Sequence, residues 1–224
     1  ALPKGRPYKT PVPDASQTTA SHATELLRRS LANGRLGHAY LFVGGTIESL
    51  EAHATWLARS LNCQSPTATG ETGIPLEACG GCIPCRQVDS GNFPDLAFVR
   101  PGKKSRFISI EQIRNLTRKV SLKPTEGRYK VAIITGADRM PGPTFNAFLK
   151  TLEEPPPWTV MLLATPRLSL LPATVVSRCV EISLGPVELQ ELRKLLRERG
   201  TVTAEDEEMV LEYAEGMAGW AVEM

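Results

Sequence analysis

No run of this chain approaches the roughly 20 consecutive apolar residues that a membrane-spanning helix requires. The first 20 residues are polar and rich in proline, without the apolar centre of a secretory signal. A dominant charge is lacking as well: 26 Lys and Arg stand against 24 Asp and Glu, a net charge of +2, so no global field marks a nucleic-acid or membrane binder. Internal repeats are absent, and no low-complexity segment follows the leader. What is present is an ordinary globular composition: 224 residues, 42% hydrophobic and 22% charged, enough for one sizeable core and a small satellite. Four of the five cysteines fall between Cys63 and Cys85. Clustered thiols in a chain without an export signal point to metal rather than to disulfides, and to a cytoplasmic protein.

Pro3, Pro7, Pro11 and Pro13 deny regular backbone pairing, so residues 1–15 read as a flexible leader. From Ser16 helix and strand signals alternate. A helix runs to about Asn33, a strand covers Tyr40–Val43, and Ile47, Leu50, Ala54, Leu57 and Leu61 recur at helical spacing. Leu96–Val99 predicts a strand, followed by a helix opened by Ser109 with Gln112 three residues on, the pattern of a capping box. Val131–Thr135 and Thr159–Thr165 are continuous apolar runs, as strands covered on both faces should be. Between them Phe145, Phe148, Leu149 and Leu152 give a helical stripe that Pro155–Pro157 stops. A last strand, Cys179–Leu184, precedes Gly185 and Pro186, after which only helical signals remain. The alternation implies a mostly parallel α/β sheet with helices on both faces over residues 16–185, and residues 186–224 are expected to form a small helical lid.

Cys79, Cys82 and Cys85 form a C-x2-C-x2-C run, with Cys63 fifteen intervening residues upstream. Four thiolates complete a tetrahedral shell around zinc and leave no open coordination position, so such a site is structural. Gly80, Gly81 and Pro84 let the backbone turn tightly enough for the sulfurs to converge. Unliganded thiols are the bland alternative, and iron–sulfur ligation uses similar spacings. The module, residues 62–92, carries Arg86 as its one basic residue, which does not indicate nucleic-acid contact.

A phosphate-cradling loop after the first strand would read G-x4-G-K-[ST]. The corresponding stretch is Gly44-Gly45-Thr46-Ile47-Glu48-Ser49, with no lysine between Tyr40 and Leu61. The strand Val131–Ile134 leads to Thr135-Gly136-Ala137 instead of the acidic pair that would hold magnesium. Asp138 then reads as a turn aspartate capping the next element, or else as a displaced metal ligand. Lys150 and Glu154, four apart on one helix, are expected to pair with each other. Together these features argue against ATP hydrolysis.

Several segments, in order, resemble the bacterial DNA polymerase III clamp-loader subunits, an AAA+ family. They are His38-Ala39-Tyr40-Leu41-Phe42, Leu61-Asn62-Cys63 with Cys79, Cys82 and Cys85, Glu126-Gly127-Arg128-Tyr129-Lys130-Val131, Asn146 through Pro156, Leu163-Ala164-Thr165 and Ser177-Arg178-Cys179. The resemblance covers the chain from about Leu26 onward, and the two missing nucleotide features are those that distinguish the family's delta-prime branch from its gamma/tau motors. It implies an AAA+ (RecA-like) parallel sheet with a zinc-binding insertion held by Cys63, Cys79, Cys82 and Cys85, followed by the lid. A C-terminal collar domain would lie beyond a chain that looks truncated.

The resemblance further implies that Arg178 of the Ser177-Arg178-Cys179 motif acts in trans on ATP held by a neighbouring gamma/tau subunit, and that Thr165 occupies a sensor position inherited without a nucleotide to sense. Implied partners are gamma/tau and delta subunits, the beta sliding clamp, and primed DNA through the assembled complex, with no membrane. The chain would then be a non-hydrolysing part of the DNA polymerase III holoenzyme, a nucleotidyltransferase. A motor-type ATPase with an atypical phosphate loop, which would bind nucleotide by itself, and a zinc-ribbon nucleic-acid binder, which would bind DNA in a salt-dependent way, are the competing readings.

Overall fold

The computed structural model describes residues 18–103, 105–185, 190, 193–194, 196–197 and 207–214. The expected leader and the boundary at Pro186 lie outside them. Helix α1 (Thr18–Ala32) precedes strand β1 (Ala39–Val43) and helix α2 (Ile47–Leu61). A small antiparallel pair follows, β2 (Ala68–Thr69) and β3 (Pro75–Glu77), and then helix α3 (Ile83–Asp89). The alternation resumes with β4 (Leu96–Val99), α4 (Ile110–Ser121), β5 (Lys130–Thr135), α5 (Gly142–Glu153), β6 (Thr159–Thr165), α6 (Ala173–Val176) and β7 (Val180–Ser183). Helix α7 spans Glu207–Ala214. None of the helices among the described residues is long and apolar enough to cross a membrane.

The main sheet has five strands in the order β4-β5-β6-β1-β7, all parallel. Each central strand is buried along its whole length because alternate residues feed two cores. On one face Leu41, Val43, Ile134 and Leu163 pack with Ile113 and Leu116 of α4 and Phe145 and Phe148 of α5. On the other, Tyr40, Phe42, Ile133 and Leu162 pack with Leu27 and Leu31 of α1 and Leu50, Leu57 and Leu61 of α2. This two-sided burial is why the strands read as unbroken apolar runs while their helices show a stripe.

Local signals explain several element ends. Ser109 and Gln112 form the reciprocal capping box expected of them, Ser109 Oγ accepting from the Gln112 amide and Gln112 Oε1 from the Ser109 amide. The α5 stripe buries Phe145, Phe148 and Leu152, with Leu149 half-buried against the same core. The β2–β3 pair and α3 have no counterpart in the sequence reading, because strands of two and three residues and a helix of seven are too short to display a period. In α3 the missing proline amide costs nothing, since Pro84 sits in the first turn.

Candidate functional site

The cysteine segment folds into a cage. Cys63 follows Asn62, the residue that ends α2; Cys79 lies on the loop after β3; Cys82 precedes α3 and Cys85 lies in its first turn. All four sulfurs lie within 4.8 Å of one another. Neighbouring sulfurs are separated by 3.6 Å (Cys63–Cys79), 3.8 Å (Cys63–Cys82) and 3.4 Å (Cys82–Cys85). A tetrahedral zinc ion with Zn–S bonds of about 2.3 Å needs sulfurs about 3.8 Å apart, so the spacing fits such an ion.

Backbone amides also converge on the sulfurs: Cys79 N–H donates to Cys63 Sγ and Cys82 N–H to Cys79 Sγ, both at 3.3 Å. Burial pushes the Cys82 thiol up, but the Gln64 and Cys85 amides and the neighbouring thiols outweigh it and draw its pKa down to about 6. At Cys85 and Cys63 the same burial prevails, and their thiols are shifted upward. A divalent cation bound by this set would displace the thiol protons, so its binding would strengthen as pH rises.

The cage is bolted to the sheet. Asn62 Oδ1 accepts from the amides of Arg128 and Tyr129, each at 3.0 Å, while its Nδ2 donates to Ala58 O. Asp95, just before β4, grips the same turn through the amides of Thr125, Glu126 and Gly127, and its carboxylate pairs with Lys130 Nζ at 2.8 Å. Asn62 belongs to the Leu61-Asn62-Cys63 segment of the family resemblance, though its bonds to Arg128 and Tyr129 were not foreseen, and Asp95 carries no motif that would have singled it out.

The carboxyl edge of β1, where nucleotide-binding sheets of this kind hold phosphate, is occupied by the chain itself. Only Gly44, Gly45 and Thr46 connect β1 to α2. Gly44 and Gly45 take left-handed conformations, φ 80° and 61°. The Gly45 amide donates to Gly185 O at 3.1 Å. A Cβ at position 44 would stand 2.9 Å from that same carbonyl, a contact only glycine tolerates. Thr46 Oγ1 caps α2 by accepting from the Ser49 amide, and Glu48 lies in the first turn. The amides of Gly45, Ser49 and Leu50 are thus engaged within the chain.

At the neighbouring edge of β5 and β6, Asp138 does not cap a helix, contrary to the sequence expectation. The short 3-10 turn Ala137–Arg139 begins at Gly136 in a left-handed conformation without any side-chain cap. Asp138 instead turns inward, accepting from Thr165 Oγ1 at 2.7 Å and pairing with Arg167 at 2.7 Å. Its carboxylate is already neutralised by a cation of its own chain. Arg167 went unnoticed in the sequence because an arginine two residues past a strand has no distinctive pattern.

Arg178 lies between α6 and β7, as expected, and its partner is a surprise. Arg178 Nη2 pairs with Glu153 at 2.8 Å, and Nη1 donates to Thr174 O at 2.7 Å. The expected Lys150–Glu154 pair does not form: α5 ends at Glu153, and Glu154 has left helical geometry (φ −124°, ψ 65°), which removes the spacing that the pair requires. Ser177, exposed, and Cys179, whose thiol burial pushes up to about 11, flank Arg178. An open groove of about 480 Å³ runs past Gly37, His38, Leu152, Glu153, Arg178 and Val180.

A parallel sheet in the order β4-β5-β6-β1-β7, with helices on both faces, defines the RecA-like core of the AAA+ class. Within that class, the chain belongs to the family described as DNA polymerase III, delta subunit, whose model matches residues 19–188. It is 37% identical over 175 residues to DNA polymerase III subunit tau of Escherichia coli K12, covering 78% of this chain and 26% of that protein. It is 34% identical over 175 residues to DNA polymerase III subunit delta' of Bacillus subtilis 168, covering 78% of this chain and 50% of that protein. The chain therefore spans between a quarter and a half of the length of these relatives. Among solved structures, a gamma subunit-related DNA polymerase III protein of Thermotoga maritima superposes with a TM-score of 0.55 at 24% identity, over 90% of this chain and 57% of the other, a likeness of fold.

Proposed function

We propose that this chain is a delta-prime-type, non-hydrolysing subunit of the DNA polymerase III clamp loader. In this reading it works in the cytoplasm with gamma/tau and delta subunits, the beta sliding clamp and primed DNA. It contributes Arg178 to ATP held by a neighbouring gamma/tau subunit, and a structural zinc ion bound by Cys63, Cys79, Cys82 and Cys85 fixes its insertion. It has neither polymerase nor ATPase activity of its own.

The observation that carries this reading is the closed carboxyl edge of β1. A triphosphate needs converging free amides and a lysine; here the connection is three residues long, lacks lysine, and is tied by Gly45 to the Gly185 carbonyl. The inward pairing of Asp138 with Arg167 supports the same conclusion at the position where magnesium would be held. A guanidinium on an exposed groove, by contrast, suits action on a neighbour's phosphate. The motor-type reading has one observation on its side, the 37% identity to the E. coli tau subunit.

The two separate in one experiment. The full-length protein is reconstituted with gamma and delta subunits, and DNA-stimulated ATP turnover is compared between wild type and Arg178→Ala, alongside ATP binding by the protein alone. The proposal expects turnover to fall by two or more orders of magnitude, in line with loss of an arginine finger (about 10³-fold and upward elsewhere), with no ATP bound by the isolated protein. Unchanged turnover sinks the trans role of Arg178, and tight ATP binding by the isolated protein sinks the non-hydrolysing assignment.

A further inference from the structure

We propose that Glu153 is a positioning residue that latches Arg178 onto its own subunit until a neighbour's phosphate displaces it. This inference rests on the functional reading above and names the device that controls its central residue.

Both terminal nitrogens of Arg178 are engaged within the chain, Nη2 by Glu153 Oε1 at 2.8 Å and Nη1 by Thr174 O at 2.7 Å, with Ser177 Oγ also within reach of Nη1 at 3.4 Å. The planar fork that would grip phosphate oxygens is therefore already occupied. Its principal partner is a carboxylate, the side-chain group whose geometry and charge most nearly imitate a phosphate before a guanidinium. Glu153 gains nothing from its own helix, because it is the last residue of α5, where the helix end carries partial negative charge and disfavours an acid. Glu154 and three prolines follow it and supply no compensating cation. The described residues thus give Glu153 one ion-pair partner, Arg178.

The latch is built to be weak. Both side chains are partly exposed, 35% for Arg178 and 48% for Glu153, and the adjoining groove of about 480 Å³ leaves room for the guanidinium to swing away. An exposed ion pair biases an equilibrium by roughly two- to fivefold. That bias suppresses the engaged conformation without forbidding it, and a multiply charged phosphate at the interface outcompetes a single carboxylate. The latch stabilises the free state but not the transition state, so its removal raises kcat/KM for ATP.

The test uses the full-length protein reconstituted with gamma and delta subunits, the sliding clamp and primed DNA. ATP turnover is measured across ATP concentration for wild type, Glu153→Gln, Arg178→Ala and the double variant. Glu153→Gln is expected to raise kcat/KM by about two- to fivefold, and to have no effect once Arg178 is alanine. A rise is the discriminating sign, since loss of a merely structural contact would lower activity. If Arg178→Ala reduces turnover while Glu153→Gln leaves kcat/KM unchanged or lowers it, or acts equally in both backgrounds, the latch is refuted and the trans role of Arg178 stands. If Arg178→Ala itself has no effect, both fail. Thermal unfolding of Glu153→Gln within a few degrees of wild type, as expected for an exposed substitution, shows that the comparison is made on folded protein.

Discussion

Replacing Asp95 by asparagine tests how the insertion is joined to the sheet. Asp95 is 2% exposed, and its carboxylate accepts the amides of Thr125, Glu126 and Gly127 and pairs with Lys130, itself 8% exposed. Burial pushes the carboxyl pKa up, but the Lys130 ammonium and the three amides more than reverse that and draw it down to about 2. Against the ordinary value of 3.8, that shift corresponds to stabilisation on the order of 2 kcal/mol.

Asparagine can still accept amides through its oxygen, but it must turn an NH2 group toward Lys130, a donor against a donor, and leaves that ammonium buried without a counter-charge. Breaking a buried pair in this way costs about 3 to 5 kcal/mol. For a domain of this size the melting temperature should fall on the order of 10 °C, measured by calorimetry or circular dichroism at neutral pH.

The pH dependence has a defined sign. The folded carboxyl titrates below its unfolded value, so its stabilisation is complete above about pH 5, declines as pH falls through the range between the two pKa values, and is gone below about pH 2. The stability difference between wild type and Asp95→Asn should therefore shrink with acidification, while cysteine protonation, common to both proteins, cancels. A melting point within 2 °C of wild type, or a difference independent of pH between 5 and 2.5, would refute the argument.

Two further outcomes bear on the candidate site. Purified protein should contain one zinc ion per chain by elemental analysis and lose it in Cys82→Ser, whose unfolding should then match that of chelated wild type; protein free of metal after anaerobic purification would remove the cage assignment. Arg167→Met should destabilise the fold by about 3 kcal/mol in urea unfolding, because it leaves the Asp138 carboxylate, among the described residues, with the Thr165 hydroxyl in place of a counter-charge; a loss below about 1 kcal/mol would mean that the pair contributes little.

The sequence by itself determined whatever depends on local pattern. Continuous apolar runs identified the strands because both faces of a parallel sheet are covered, and Ser109 with Gln112 identified a helix start because the capping box is closed within four residues. Cysteine spacing brought four thiols together on paper, and the missing lysine after β1 was visible as a letter. What only the tertiary structure decided are the pairings between residues far apart in the chain. Asp138 turns to Arg167 rather than to the next helix, Arg178 to Glu153, Gly45 to Gly185, and Asn62 to the turn at Arg128 and Tyr129. Charge and hydrogen-bonding capacity are properties of a residue and can be read from its name, but which partner satisfies them depends on where the folded backbone brings each group. At this sheet's edges, separations of 25 to 140 residues collapse to about 3 Å.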